Sequence, residues 1–160
     1  MAKEYLKDYK LNFTGIVILE EFYSYIKGWL EKQGYWFDEP NYREIQQGKK
    51  KTIMIRWMYA KKYNDYIQQK IDINFNLKDA EEVKTKKKTA HQTTVEMTIT
   101  AFLDKDYEEK WEKSKILKFV SEVYDRYAGR KSELERSGEE LINDAENFYN
   151  EIKAYLKVTQ

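Results

Sequence analysis

The stretch RWMYAKKYNDYIQQKIDINFNLKD, residues 56–79, decides the fold, because its apolar residues recur at every second position on both sides of a turn. Trp57 and Tyr59 alternate with polar residues before the turn, and a run of isoleucines alternates in the same way after it. A period of two is typical of half-buried strands. These residues therefore predict a β-hairpin that turns at residues 63–65.

The length of the turn follows from the apolar pattern. A two-residue loop would place Trp57 beside the charged Asp72, whereas a three-residue loop through 63–65 sets Trp57 against Ile71. A slip of one residue would send the apolar residues of one strand to the wrong face of the sheet. We therefore predict the three-residue loop, with Asn64 or Asp65 in the left-handed conformation that such a loop requires.

The same pairing separates the aromatic side chains from the cations. Trp57 and Tyr59 share a face with the isoleucines, whereas Arg56, Lys62 and Lys70 point to the opposite face. RNA-binding platforms need aromatic rings exposed on the surface that carries the cations. The pattern therefore favours the core of a sheet over an aromatic platform for nucleic acid.

The chain before this hairpin predicts a strand, a helix and an edge strand. The strand is indicated by the alternating apolar residues Tyr5, Tyr9, Leu11 and Phe13. Apolar residues then recur at spacings of three and four, which predicts a helix over residues 16–33, with Thr14 as N-cap and Gly34 as the closing residue. Pro40 places the strand that follows at an edge or a bulge, because proline cannot donate to a ladder.

The chain after the hairpin predicts two strands and two helices. A weak strand is indicated near residues 82–86 and a strong one over 93–103, joined by the lysine-rich run KTKKKTAHQ, residues 84–92, which we interpret as a solvated hairpin tip. A helix is marked by the apolar residues Leu117, Val120, Val123, Tyr124 and Tyr127 and ends at Gly129. Ser132 and Glu135 form a capping box that opens the last helix.

The last helix carries an apolar seam. Leu134, Leu141, Phe148 and Tyr155 stand seven residues apart, with Gly138, Ala145 and Ile152 between them. A seam of about three heptads barely reaches coiled-coil length, so we predict that it packs on the protein's own sheet rather than on a partner helix.

These elements predict a single α+β domain over residues 1–160. Its antiparallel sheet has five or six strands in the order β-α-β-β-β-β-β-α-α, and one face is covered by helices that include the long C-terminal helix. The first residues lack the apolar segment of a signal peptide, and no run approaches the roughly 20 apolar residues of a membrane span. We therefore expect a cytoplasmic protein without a membrane span.

Composition excludes several kinds of catalytic site. The chain has no cysteine and one histidine, His91, which rules out thiol catalysis, disulfides and multi-histidine metal sites. His91 lies beside the lysine-rich run, where we expect it to be solvated. The six glycines are scattered singly, so no glycine-rich phosphate loop is present, and no serine stands in a Gly-x-Ser-x-Gly elbow. We expect neither enzymatic activity nor a cofactor.

An acidic stretch, LDKDYEEKWEK at residues 103–113, is the one candidate for acid–base or metal chemistry. It lacks the glycine and the alternating oxygen ligands of a calcium loop, and its interleaved lysines are typical of pairing on a helix surface. We therefore predict no metal site there. Its carboxylates are Asp104, Asp106, Glu108, Glu109 and Glu112.

Three segments, FTGIVILEEFYSYIKGWLEKQGY at 13–35, MIRWMYAKKYNDY at 54–66 and AFLDKDYEEKWEKS at 101–114, together resemble a family of small archaeal proteins of uncharacterised function. The resemblance runs over nearly the full length and implies an archaeal cytoplasmic protein. The order of elements is also similar to the helix-grip fold of START and Bet v 1 proteins, which hold apolar ligands between a curved sheet and the last helix. Here a single helix follows the first strand and two helices close the chain, so fold analogy does not establish a cavity.

Three functions are compatible with these features. Residues 43–62 carry seven basic residues against one acid, net +6, and residues 133–151 carry the reverse, net −6. This polarity and the fourteen tyrosines, some of which should be exposed, favour a non-catalytic binding or adaptor protein with a macromolecular partner, most simply another protein.

The two alternatives use different residues. A carrier of a small apolar ligand would line a pocket between the sheet and the last helix with Trp57, Tyr59, Ile71, Ile73, Met97 and Phe148. An RNA-binding module would use the basic residues Lys49, Lys50, Lys51, Arg56, Lys61 and Lys62.

Overall fold

The computed structural model describes residues 2–84, 89–105 and 128–158, which form five strands and two helices. In chain order these are β1 (Ala2–Val17), α1 (Leu19–Lys32), β2 (Trp36–Gln47), β3 (Lys50–Lys62), β4 (Ile67–Lys84), β5 (Thr89–Lys105) and α2 (Ala128–Val158). The predicted helix over residues 117–127, the tip lysines at 86–88 and the carboxylates at 106–112 lie outside the described residues.

The strands form one antiparallel sheet in the order β1-β5-β4-β3-β2. This confirms the predicted α+β class with an antiparallel sheet and a long C-terminal helix. Within the described part of the chain β1 and β2 are the two edges. Pro40 lies in β2, so the prediction that its strand stands at an edge is also confirmed. Neither described helix combines the length and the apolar character that a membrane crossing requires.

The core lies between one face of the sheet, here called the inner face, and the two helices. Odd-numbered residues of β3, β4 and β5 supply the sheet side of this core, among them Ile55, Ile73 and Ile99, each at most 3% exposed. Phe22, Ile26 and Leu30 supply the α1 side and are fully buried. Each large apolar side chain that is buried in this way contributes about 1.5–3 kcal/mol.

The apolar seam of α2 packs on the sheet of its own chain, as predicted. Leu141, Ala145, Phe148 and Ile152 are fully buried in the core, and α2 contacts β1, β4 and β5. The seam is therefore used inside the fold and presents no coiled-coil face to a partner.

The register of the central hairpin differs from the prediction by two residues. Trp57 pairs with Ile73 rather than with Ile71, and five residues separate Lys62 from its partner Gln68. A shift of two keeps every side chain on its predicted face, because the side-chain period is also two. Trp57 accordingly faces inward, in edge-on contact with Phe75 at 5.2 Å between ring centroids.

The longer loop is built around the side chain of Asn64. Its Oδ1 accepts hydrogen bonds from the backbone N–H groups of Tyr66 at 2.9 Å and Ile67 at 2.7 Å. Neither Asn64 nor Asp65 takes the predicted left-handed conformation. The described non-glycine residue with a positive φ is Asp79, at 49°.

The first strand is longer than predicted. Thr14 is not an N-cap, because it lies within β1, pairs with Thr94 and places its Oγ1 3.1 Å from the Oγ1 of that residue. Helix α1 begins only after Ile18, which makes no side-chain cap, while Gly34 with φ of 91° closes the helix as predicted. Pairing with β5 has overridden the helical spacing of residues 16 and 17.

A bulge between Tyr5 and Lys7 corrects a second prediction for β1. Tyr5 does not join the core face, since it is 67% exposed and lies over Phe102 on the opposite, outer face at 5.4 Å between ring centroids. The extra residue of the bulge, Leu6, packs against the core instead.

Two further element boundaries differ from the prediction. The weak strand at 82–86 is no separate element, because Glu82 and Val83 continue β4 after a bulge between Lys78 and Glu81. The capping box at Ser132 is also wrong, since α2 already begins at Ala128 and runs through this position.

Among the residues that the structure describes, Lys70 on β4 and Asp104 on β5 form a buried ion pair on the outer face. The Nζ of Lys70 lies 3.2 Å from Oδ2 of Asp104, whose side chain is fully buried, although neither carboxylate oxygen accepts a hydrogen bond of good geometry. A second pair on the same face, Lys78 with Glu96, is closer at 2.9 Å but about half exposed. Burial rather than distance should therefore decide which pair matters more.

We predict that Lys70→Met lowers the free energy of unfolding by about 3 kcal/mol, because it leaves the Asp104 carboxylate buried without its cation. Lys78→Met, the matched control on the same strand and face, should cost less than about 1 kcal/mol. Urea denaturation of both variants measures the difference. Equal losses would contradict the assignment of Lys70–Asp104 as the stronger structural pair.

Candidate interaction surface

The largest exposed apolar side chains cluster on the edge strand β2. Of the six large hydrophobic residues that are exposed in the described part of the chain, four lie on this strand. They are Trp36 (44% exposed), Phe37 (40%), Tyr42 (56%) and Ile45 (39%). Exposed apolar side chains that occur singly are ordinary, so the feature that sets these four apart is that they share one edge strand. These four residues together with Arg43 are called the β2 edge surface below.

A bulge divides the β2 edge surface between the two faces of the sheet. Phe37 pairs with Tyr59 and lies on the inner face, and after the bulge between Phe37 and Glu39 the inward position passes to Tyr42, which pairs with Ile55. Arg43 and Ile45 therefore point to the outer face. A strand that added to β2 would meet the rings of Phe37 and Tyr42 on the inner side, and Trp36, Arg43 and Ile45 on the outer side.

The inner side is an extension of the aromatic core. The ring of Phe37 contacts Tyr59 at 5.3 Å and Trp57 at 6.0 Å between centroids, and Trp57 in turn contacts Tyr23 of α1 at 5.6 Å. Phe37 is thus held in place by the rings of β3, while part of its own ring stays exposed. A rigid, half-exposed ring is the kind of anchor that binding surfaces use, because little side-chain entropy is lost on contact.

Tyr42 is oriented by its neighbours on the same face. Its hydroxyl donates to Oε2 of Glu44 at 2.7 Å, and Lys51 of β3 lies 3.6 Å from the other oxygen of that carboxylate. The hydrogen bond from Tyr42, together with the charge of Lys51, lowers the pKa of Glu44, whereas burial and the bond to Glu44 raise the pKa of Tyr42. Both contacts favour the ionised carboxylate of Glu44, which faces the ammonium group of Lys51 on the same side of the sheet.

The outer side opens onto a shallow depression of about 300 Å³. Its lining runs in two rows across the strands, Asn41–Arg56–Asn74 and Arg43–Met54–Asn76. Arg56 is held by Asp72 through two hydrogen bonds of 3.1 and 2.9 Å. The depression therefore presents amides and guanidinium groups beside the strand edge.

The opposite edge of the sheet is protected in the ways that natural edge strands usually are. β1 carries a bulge near its start and exposed charges at Lys3, Glu4, Lys7, Asp8 and Lys10. Charges and bulges discourage pairing with another chain. β2 has Pro40 and a bulge in its first half, and its second half from Asn41 to Gln47 is regular and exposed, with the charges Arg43 and Glu44. The second half of β1, from Leu11 to Val17, is likewise regular and carries no charge.

The six basic residues of the RNA-binding hypothesis do not come together. Lys49, Lys50 and Lys51 lie at the β2–β3 turn, and Lys61 and Lys62 lie at the far end of β3, about 36 Å away for eleven residues of extended chain. Arg56 points to the outer face between them. Four of the six are engaged with carboxylates of the chain itself, in the pairs Lys51–Glu44, Arg56–Asp72, Lys61–Glu140 and Lys62–Asp65.

Some of the charges that make up the predicted polarity contact each other within the fold. Lys61 of β3 lies 3.4 Å from Glu140 of α2, and its Nζ stands 5.4 Å from the centroid of the Tyr35 ring. Tyr35 donates to Asp144 of α2 at 2.9 Å. Acidic residues of α2 thus hold the helix near the basic strand.

The six residues of the apolar-carrier hypothesis lie in the core. Tyr59, Ile71, Ile73, Met97 and Phe148 are at most 2% exposed, and Trp57 is partly buried beneath α1 rather than beneath α2. None of them lines the outer depression. A second depression, of about 360 Å³ between the start of β1 and α2, is lined by other residues: Glu4, Leu6, Leu103, Leu134, Glu135, Gly138, Glu139 and Ile142.

His91 is not the solvated loop residue that its neighbours suggested. It lies in β5 between Val17 of β1 and Glu82 of β4, is 7% exposed, and its Nδ1 has no hydrogen-bond partner in the described structure. Burial, aided by the charge of Lys51, lowers the pKa of His91 below 6.5, although Glu82 and Glu44 act in the opposite direction. The fold therefore holds this imidazole neutral.

We predict that this histidine makes the protein less stable in mild acid. Because the pKa is lower in the folded chain, the unfolded chain takes up the proton first, so the free energy of unfolding should fall as the pH drops below about 6.5 and level off below the folded pKa. Urea denaturation between pH 8 and pH 5 measures this slope. His91→Gln should remove most of it, and an unchanged slope in that variant would contradict the explanation.

The sequence alone missed the β2 edge surface. The signal that could have found it is the pair of apolar residues, Tyr42 and Ile45, in a strand already assigned to an edge by Pro40, with Arg43 between them. Because the two residues are three positions apart, they cannot lie on the same face of one strand. Only the sheet register shows which face each of them occupies.

The described residues contain no group of three or more histidine, cysteine or acidic side chains placed to hold a metal ion. No family model matches this chain, and no curated protein sequence matches it. The resemblance to the small archaeal family and the helix-grip element order therefore remain predictions.

Proposed function

We propose that the protein is a non-catalytic binding or adaptor protein that docks a partner protein along the β2 edge surface. The observation that carries the proposal is the concentration of exposed apolar side chains on one edge strand. Edge strands offer unpaired backbone N–H and C=O groups, and partner chains recognise them by adding a strand. The mode needs no catalytic group, cofactor or cavity.

The composition of the surface also supports a protein partner. Tyrosine, tryptophan and arginine are enriched in protein interfaces, and Trp36, Tyr42 and Arg43 all occur within eight residues of β2. The expectation that some tyrosines are exposed is confirmed for Tyr42 and for Tyr5. Tyr5 lies on β1 and Tyr42 on β2.

The two alternatives have weaker support. An RNA-binding surface would have to be assembled from lysines that lie at opposite ends of β3 and are partly paired with carboxylates. An apolar-ligand carrier would have to open a core in which five of the six proposed lining residues are at most 2% exposed. Both remain hypotheses, and each requires a larger rearrangement of the structure than strand addition does.

We predict that Ile45→Lys weakens partner binding about tenfold or more, because it removes an apolar contact and places on β2 the lysine that protects natural edge strands. The measurement is quantitative mass spectrometry of proteins that co-purify with the tagged chain from an extract of its own source. Ile16→Lys is the matched control, since Ile16 is also 39% exposed but lies on the opposite edge strand.

The expected result is a protein that is recovered with the unchanged chain and with Ile16→Lys but is lost with Ile45→Lys. Equal recovery with both variants would place the docking surface elsewhere. Recovery of nucleic acid or of a bound small molecule in place of a protein would favour one of the two alternatives. Both substituted residues are already exposed, so the thermal midpoints of the variants should stay close to that of the unchanged chain.

A further inference from the structure

A groove with an apolar floor and an acidic rim runs between β1 and α2, at the sheet edge opposite β2. This depression of about 360 Å³ is called the β1–α2 groove below. Its volume lies near the lower end of the range for ligand pockets, which is enough for a few side chains of a partner. Its apolar lining comes from Leu6, Leu103, Leu134 and Ile142, and its charged lining residues are all carboxylates: Glu4, Glu135 and Glu139.

The wall that α2 contributes to the groove is fixed to the sheet. Gln69 of β4 is fully buried, and its Nε2 donates to the carbonyl oxygen of Ser137 at 2.9 Å. The next residue of α2 is Gly138, where an added Cβ would stand 3.5 Å from a methyl carbon of Leu6. The absence of a side chain at this position therefore leaves the groove open, and the hydrogen bond from Gln69 holds its wall in place before a partner arrives.

Two of the three carboxylates are free to bind a partner. Glu4 lies 4.0 Å from the Nζ of Lys105, so its charge is partly compensated. Glu135 and Glu139 are exposed, and neither makes an ion pair with the residues that the structure describes. The rim that α2 forms therefore carries two carboxylates for which a cation of a partner does not have to compete.

The cations that flank the groove do not line it. Lys7 of β1 is directed to the ring of Tyr9, with its Nζ 5.0 Å from the centroid. Arg136 lies three positions before Glu139 on α2 and is exposed, but forms no ion pair with it. These cations weaken the field of the rim from a distance and occupy neither carboxylate. An acidic lining repels phosphate groups, so nucleic acids and anionic lipid headgroups fit this groove poorly.

The spacing of Glu135 and Glu139 defines the spacing of the cations that they can bind together. Four residues of an α-helix rise about 6 Å along its axis. In an extended chain, residues i and i+2 point to the same side and lie roughly 6.6 Å apart, whereas adjacent residues point to opposite sides. An extended segment with basic residues at i and i+2 therefore matches the two carboxylates.

We propose that the β1–α2 groove docks an extended basic segment of a second partner protein, in which two arginines at positions i and i+2 bind Glu135 and Glu139. The aliphatic parts of these arginines lie on the apolar floor, as long basic side chains do on apolar surfaces. Arginine fits better than lysine, because its planar guanidinium can donate two hydrogen bonds to one carboxylate. The groove lies at the edge opposite the β2 edge surface, so this inference does not depend on the proposed function and gives the adaptor a second binding surface.

A second copy of the chain is a poorer occupant than a different protein. In the described part of the chain, basic residues two positions apart occur at Lys49 and Lys51. Lys51 already lies 3.6 Å from Glu44 of its own chain, so a second copy would have to break one ion pair in order to form another. Charge complementarity therefore favours a basic segment whose cations have no partner of their own.

The test uses three capped nine-residue peptides in a threonine background. The first carries two arginines separated by one threonine, the second has the same composition with the arginines adjacent, and the third has glutamines in place of the separated arginines. Amide chemical shifts of the full-length protein report where each peptide binds, and titration gives its Kd. We expect shifts at residues 4–6 and 134–142 but not at 41–47. The first peptide should bind about two- to fivefold more tightly than the second, and the third should bind most weakly.

Removal of the two carboxylates supplies the matched comparison on the protein. Glu135→Gln combined with Glu139→Gln should abolish the preference for separated arginines. Glu146→Gln, at an exposed position of the same helix outside the groove lining, should preserve it. All three positions are exposed, so the variants should fold like the unchanged chain. Ile45→Lys should leave the binding of the peptides unchanged, which keeps this test separate from that of the β2 edge surface.

Three outcomes would overturn the inference. The first is equal affinity of the two arginine peptides, or a preference that persists after both glutamates are replaced. The second is the absence of shifts at residues 4–6 and 134–142, which would place the binding of a basic segment elsewhere. The third is self-association of the unchanged chain that the double replacement abolishes, which would make a second copy the occupant. Capture of a protein by the β2 edge surface stays a separate result in each case.

Discussion

The structure depends on one constraint, which is that the odd-numbered residues in the central parts of β3, β4 and β5 point to the same side of the sheet. From Ile67 to Lys78, apart from the bulges that follow, every pairing of β4 with its two neighbours joins residues of equal parity, so isoleucine, phenylalanine and methionine side chains form one continuous apolar face. Helices α1 and α2 cover this face. Because the even-numbered residues are mostly polar, the opposite face is left to water and to ion pairs.

The same constraint explains why the sheet edges differ. β1 is tied to β5 over nearly its whole length, and the bulge at its start moves Tyr5 to the outer face and lets Leu6 pack inward. β2 has only β3 as a described neighbour and reaches beyond the helices, so its second half contributes little to the core. Its apolar side chains are therefore free to contact a partner without disturbing the fold, and the structural cost of a binding edge is low.

The division of charge follows a similar logic. The basic segment and the acidic helix attract each other within the molecule, as the pair of Lys61 with Glu140 shows, and Lys51 is used beside Glu44. Of the basic segment, Arg43, Lys49 and Lys50 form no ion pair with another described residue, and all three lie on β2 or at the β2–β3 turn. Counting the basic residues therefore overstates the positive charge that a polyanionic partner could use. The positions of the chain's own carboxylates decide which basic side chains are left for a partner.

The sequence by itself determined which residues are buried in the middle of the chain, that the sheet is antiparallel, that Pro40 marks an edge strand and that the seam of α2 packs inward. These are consequences of periodicity and of the missing N–H of proline, which act locally and are visible in one dimension. Tertiary structure alone decided the registers and the bulges. Four features depend on which strand lies alongside: the loop at Asn64, the extension of β1 through Thr14, the burial of His91, and the placement of Tyr42 and Arg43 on opposite faces of β2. At these positions the energy of pairing between distant segments outweighs local preferences. The β2 edge surface belongs to this second group, because a strand becomes an exposed edge only through the neighbours that the rest of the fold does or does not give it.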